Sequence, residues 1–155
     1  MEKIRAYGVL LAGLLAGLVY LFMDTLFEGW AGLVFGLSKK DIYFKAFQVT
    51  PAGWKFHAVS MTAFFIQFIL FIWIYAAVQP RFPSILKGAL AVALVGWSFS
   101  LLSQLPMVQA GIYPLKLAVY NLGFGLLKLP LAVVAGSYAY HVPKRNESPG
   151  PQPGS

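Results

Sequence analysis

The sequence predicts an all-α integral membrane bundle of four transmembrane helices, with a short interfacial segment after the first helix and a disordered C-terminal tail. Three observations carry that expectation. Apolar runs recur along the 155 residues; 59% of them are hydrophobic against 11% charged; and the twelve lysines and arginines fall in ones and twos between the runs. A hydrocarbon core about 30 Å thick needs roughly 20 mainly apolar residues per helix, at about 1.5 Å of rise each. A mean hydropathy of +0.70 lies outside the range of ordinary soluble domains. The net charge of +7 is spread along the chain rather than gathered on one polar face, so it reads as membrane flanks and not as a nucleic-acid surface.

The membrane domain is expected over residues 1–141, with spans at about 4–36, 56–78, 86–105 and 114–140, and the tail at 142–155. The first apolar run, residues 4–37, is interrupted by Asp24, Thr25 and Glu28. As one helix it reaches about 50 Å, so it must tilt, bend or protrude. Gly29, Gly32 and Gly36 mark the second half as the place for a break, and a run split in two is the competing reading. The opening Met1-Glu2-Lys3-Ile4-Arg5 resembles the start of a signal peptide, but no convincing small-x-small cleavage site follows Tyr20, so an uncleaved first helix is expected. Gly13 and Gly17 form a GxxxG beside Ala12 and Ala16, which admits a second helix closely, from this chain or from another copy.

Residues 38–55 mix Lys39, Lys40, Asp41, Lys45 and Lys55 with Ile42, Tyr43, Phe44 and Phe47, the composition of a segment lying at a membrane surface. The second span has His57 and Gln67 as its main polar interruptions, and Gln79-Pro80-Arg81-Phe82-Pro83 then forms a tight basic turn. The third fades near Leu105-Pro106, with Ser98, Ser100, Ser103 and Gln104 gathered in its last turns. The fourth contains Lys116, Asn121, Lys128 and Pro130. Beyond Val142 the chain is rich in proline, glycine and charge and has no apolar face to bury.

Placing the amino terminus inside puts Lys3, Arg5, Arg81, Lys87, Lys144 and Arg145 in the cytoplasm and Lys39, Lys40, Lys45, Lys55 and Lys116 outside. The inside residues flank short turns tightly, whereas most of the outside ones occupy one longer segment. A local repetition agrees: Tyr75-Ala76-Ala77-Val78-Gln79-Pro80-Arg81 and Tyr138-Ala139-Tyr140-His141-Val142-Pro143-Lys144 both read Tyr-Ala-x-x-x-Pro-basic. Parallel helices leaving a membrane at one face need the same aromatic belt, helix stop and basic anchor.

The polar groups inside the runs are the candidates for function. Asp24 and Glu28 share a helix face, and Lys128 lies near the middle of the fourth span. A lone charge at that depth is costly, so either Lys128 neutralises one of the carboxylates within the bundle, or the carboxylates sit at the interface and Lys128 snorkels to water. His57 and His141 lie at opposite ends of the spans, about 30 Å apart, which separates them too far for one haem iron. Phe64, Phe68, Phe71 and Tyr75 recur at helical spacing as an aromatic stripe, suited either to a flat lipophilic molecule or to packing. Ser100, Gln104 and their neighbours suit a wet vestibule or interhelical hydrogen bonds. No hydrolase, nucleotide-binding or zinc-protease motif occurs, and the chain has no cysteine. No enzyme activity, catalytic residue, cofactor or metal is therefore expected.

Three stretches carry a resemblance: Ala12-Gly13-Leu14-Leu15-Ala16-Gly17 leading to Asp24 and Glu28-Gly29; Ile74-Tyr75-Ala76-Ala77-Val78-Gln79-Pro80-Arg81-Phe82; and Gly125-Leu126-Leu127-Lys128-Leu129-Pro130-Leu131-Ala132 with Ala135-Gly136. With them the chain resembles a group of small, uncharacterised bacterial four-helix integral membrane proteins. The resemblance implies a multi-pass protein of the bacterial cytoplasmic membrane, with an acidic residue where this chain has Lys128, and it implies no activity. Two functions follow as expectations. One is a structural or accessory protein whose partners are the bilayer and a membrane-protein partner or a second copy. The other is a small transporter or lipophilic-ligand binder that uses Asp24, Glu28 and Lys128.

Overall fold

The computed structural model describes residues 5–35, 54–111 and 113–141. These form α1 (Ala6–Phe35), α2 (Trp54–Val78), a 3-10 turn (Gln79–Arg81), α3 (Ile85–Gln109) and α4 (Leu115–His141). All four α-helices are long and apolar enough to cross a membrane. They are apolar all round rather than striped, so large side chains such as Leu33, Phe99 and Leu102 stand exposed on the outside while a core forms within.

The first run is one continuous helix of 30 residues, about 45 Å long, and the split reading is not realised. Gly29 lowers helix propensity there by only about 1 kcal/mol, and the helix continues on both sides of it. The second helix opens at Trp54, two residues ahead of the expected span, so Lys55 belongs to it. Ser84 caps α3, its side chain accepting a 3.3 Å hydrogen bond from the Lys87 backbone N–H. The third helix runs past Pro106 to Gln109, beyond the expected end at 105. Proline's φ is helical and its ring removes one ladder bond only, so the turn after it closes normally, with the Ala110 N–H donating to the Pro106 carbonyl at 2.9 Å. The segment that closes α2 onto α3 is the expected Gln-Pro-Arg turn, with the Phe82 N–H donating to the Gln79 carbonyl at 2.9 Å. The expected interfacial segment before residue 54 and the tail beyond residue 141 lie outside the described residues.

Neighbouring helices run antiparallel: α1 lies against α2 and α4, α3 against α4, and α2 is parallel to α4. The N-terminal end of α1, the α2–α3 turn and the C-terminal end of α4 therefore share one end of the bundle. There the packing is tight because the crossings use small residues. A Cβ on Gly13 would lie 2.6 Å from Ile69 Cα, and one on Gly17 would lie 2.7 Å from the Phe65 ring. One on Gly136 would meet the Ala12 carbonyl at 2.8 Å, and one on Gly96 the Phe71 ring at 2.7 Å. Backbones approach this closely only where side chains are absent or reduced to a methyl. Ala12, Ala16, Ala89, Ala93 and Ala132, all buried, extend the same close contact. The Gly13–Gly17 pair is thus covered by α2 of the same chain.

Candidate functional site

At the opposite end the bundle widens. Beyond the contact of Phe71 with Gly96, α2 and α3 form facing walls of a cleft of 370 Å³. All four helices line it. Tyr20 and Asp24 come from α1, Phe64, Gln67 and Phe68 from α2, Trp97, Ser100 and Gln104 from α3, and Asn121, Gly125 and Leu129 from α4. A cleft forms here because bulky aromatic and amide side chains replace the alanines and glycines of the tight end.

The charged residues meet at its edge. Lys128 Nζ donates to Asp24 Oδ1 at 2.5 Å, and the ammonium lies 5.3 Å from the centroid of the Tyr20 ring. The two partners are unequally placed: the Lys128 side chain is 2% exposed and that of Asp24 is 23% exposed. The carboxylate lines the cleft and the ammonium sits behind it, within the α1–α4 contact. An adjacent carboxylate and an aromatic face are two of the ways a buried ammonium is compensated. Glu28, one turn further along α1, is partly buried and makes no ion pair among the described residues. Of the three charges singled out by sequence, the structure thus brings two into direct contact.

The aromatic stripe divides. Phe64 and Phe68 line the cleft and cluster with Tyr20, with ring centroids 5.0 Å apart for the two phenylalanines and 5.7 and 5.2 Å from each to Tyr20. Phe71 and Tyr75 instead fill the tight end, over Gly96 and Gly88. The serine cluster divides too. Ser100 and Gln104 line the cleft, whereas the Ser98 and Ser103 hydroxyls donate to the carbonyls of Leu94 and Ser100 within their own helix, at 2.9 and 3.0 Å.

Several donors around the cleft are already engaged. Trp97 Nε1 donates to the Leu122 carbonyl at 2.9 Å, and Asn121 Nδ2 to the Tyr113 hydroxyl at 2.6 Å. Gln104 Oε1 is buried and has no hydrogen-bond partner. The histidines stand apart: His141 Nε2 is 2.9 Å from the Tyr75 hydroxyl at the tight end, and His57 belongs to the first turn of α2, eighteen residues, or about 27 Å of helix, from Tyr75. No group of three or more His, Cys, Asp or Glu residues able to hold a metal ion is found among the described residues.

Tyr20, Trp97 and the amides Gln67 and Asn121 were not marked as site residues by sequence reasoning. A signal was available. An amide inside an apolar run is costly unless it finds a partner or lines a polar space. Gln67, Gln104 and Asn121 fall on three different helices at positions that antiparallel packing brings to one level.

Comparison of the chain with family models, curated proteins and solved structures gives no match.

Proposed function

We propose that this chain is a multi-pass integral protein of the bacterial cytoplasmic membrane, with both termini cytoplasmic, and that it binds a lipophilic small molecule in the cleft. The cleft itself is the observation that carries the reading. Its 370 Å³ falls in the range of small-molecule sites, roughly 300–1,000 Å³, and its lining sets the rings of Tyr20, Phe64, Phe68 and Trp97 among a larger polar share from Asp24, Gln67, Ser100, Gln104 and Asn121. The tight packing at the other end supports a site entered from one side over a pore through the bundle. The orientation rests on the basic residues, with Arg5, Arg81 and Lys87 at the end of the bundle that also carries the end of α4.

The accessory-subunit reading draws on helix-packing glycines and on the absence of a catalytic motif in the sequence. With Gly13 and Gly17 covered by α2, that support is reduced. Native mass spectrometry of the full chain released from mild detergent distinguishes the two. The binding reading expects the chain with a bound small molecule of a few hundred daltons. A stoichiometric protein partner with no small molecule bound refutes it in favour of the accessory role.

A further inference from the structure

Resting on that reading, we infer that the ligand is a neutral, ring-bearing molecule with hydroxyl or N–H donors, and not an anion or an organic cation. The first ground is the unequal exposure of the ion pair. An incoming molecule meets the Asp24 carboxylate, while the Lys128 ammonium is closed off behind it. An anion would face a like charge at the lining with the compensating cation out of reach. A cation would have to share Asp24 with an ammonium already 2.5 Å from one of its oxygens, and the two cations would repel in a site of low dielectric. A neutral donor adds a hydrogen bond to the carboxylate and leaves the pair intact, since a carboxylate offers about four acceptor positions.

The second ground is the hydrogen-bond balance of the walls. The Trp97 and Asn121 donors are engaged with protein acceptors, and Gln104 Oε1 is buried without a donor. A buried acceptor without a donor favours a ligand that brings one. The third ground is shape. Tyr20, Phe64 and Phe68 form one cluster with each centroid within 5.7 Å of the others, a surface on which a planar ring stacks or packs edge-on. Asp24 stands one turn along α1 from Tyr20, so a ring held on the cluster has its polar substituent beside the carboxylate.

The test uses the full chain in lipid nanodiscs and three probes of matched ring and tail: 4-butylphenol, its methyl ether 4-butylanisole, and 4-butylbenzylamine, which is a cation at pH 7. Calorimetric titration measures each affinity, with empty nanodiscs subtracted and with Ser100→Phe, which fills the cleft, as the site control. Unfolding midpoints show whether that variant is folded. The phenol is expected to bind about tenfold or more tighter than the anisole, the difference a hydrogen bond to a charged acceptor makes. Gln104→Leu, which replaces an unsatisfied amide by an apolar group and does not endanger folding, should narrow the ratio by roughly threefold. Equal binding of phenol and anisole, abolished by Ser100→Phe, overturns the donor inference and leaves the binding reading standing. Tighter binding of the amine overturns it in favour of a cation site. No saturable binding of any probe refutes both.

Discussion

Removing one partner of the Asp24–Lys128 pair should not cost the same from both sides, because the two are buried to different depths. Asp24→Leu leaves an ammonium on a side chain that is 2% exposed, in the contact between α1 and α4. A buried charge that loses a carboxylate partner typically costs about 3–5 kcal/mol. Lys128→Met leaves a carboxylate that is 23% exposed and borders the cleft. Water in the cleft can take the place of the ammonium as donor, so the cost falls to that of an imperfectly satisfied polar group, about 1–3 kcal/mol. The double variant removes both charges together and should lie within about 1 kcal/mol of the parent, since well-packed apolar replacements of a buried pair are often neutral. The assay is equilibrium unfolding in mixed micelles, with sodium dodecyl sulfate as denaturant and tryptophan fluorescence as the signal. Additive losses across the cycle, or a larger loss for Lys128→Met than for Asp24→Leu, refute the reasoning.

Other perturbations give equally definite outcomes. Gly136→Ala places a methyl 2.8 Å from the Ala12 carbonyl and 2.9 Å from Ala16 Cβ, so it should lower stability by about 1–3 kcal/mol in the same unfolding assay. Gly29→Ala meets nothing within 4 Å and should instead raise it by up to about 1 kcal/mol through helix propensity alone. Tyr75→Phe removes the 2.9 Å hydrogen bond to His141 while keeping the ring over Gly88, and should cost about 0.5–1.5 kcal/mol. Reporter fusions after Arg81 and after Arg145 should both read cytoplasmic, and an outside signal from either overturns the orientation.

The helices were legible because hydropathy is a property of a run and survives uncertainty at any one residue. Their ends were less so. Pro106 reads as a stop, yet a proline near a helix end removes one bond and crowds one carbonyl without preventing the turn that follows, and α3 continues to Gln109. The charge pair was legible as a need, since an ammonium at Lys128 requires a partner, but the choice of Asp24 over Glu28 depends on the rotation of α1 against α4, which the close contact of Gly136 with Ala12 and Ala16 sets. The cleft was not legible. Phe64 and Phe71 belong to the same stripe, and what separates a wall from a filler is the residue opposite. Phe71 meets Gly96 and packs down, while Phe64 and Phe68 face amides and hydroxyls across a gap. Such pairings across helices leave no trace in the periodicity of either one.

The unequal bundle explains how a gap can persist beside a buried charge. In the proposed membrane setting the hydrophobic effect would supply little attraction between apolar helices, so association would depend on close contact and on polar links. The glycines and alanines at the tight end supply the first, on α1, α3 and α4. Two polar links lie around the cleft, where Lys128 ties α4 to α1 and Trp97 ties α3 to the Leu122 carbonyl of α4, and a third, between Tyr75 and His141, ties α2 to α4 at the tight end. Neither of the two cleft links reaches α2. Among the described residues its cleft-side half rests on α1 through Phe64 and Phe68 against Tyr20 and through Phe65 over Gly17. Of the walls of the cleft, α2 is therefore the one expected to loosen first, from the contacts of Gly13 and Gly17 with Ile69 and Phe65 outward. Tyr20→Ala, which removes the ring that α2 rests on, should loosen that half first. Hydrogen exchange in nanodiscs should then show faster exchange at residues 58–64 of α2, with α3 and α4 unchanged. Equal acceleration in all the helices would mean that the rings hold the whole bundle, and that α2 is no more mobile than its neighbours.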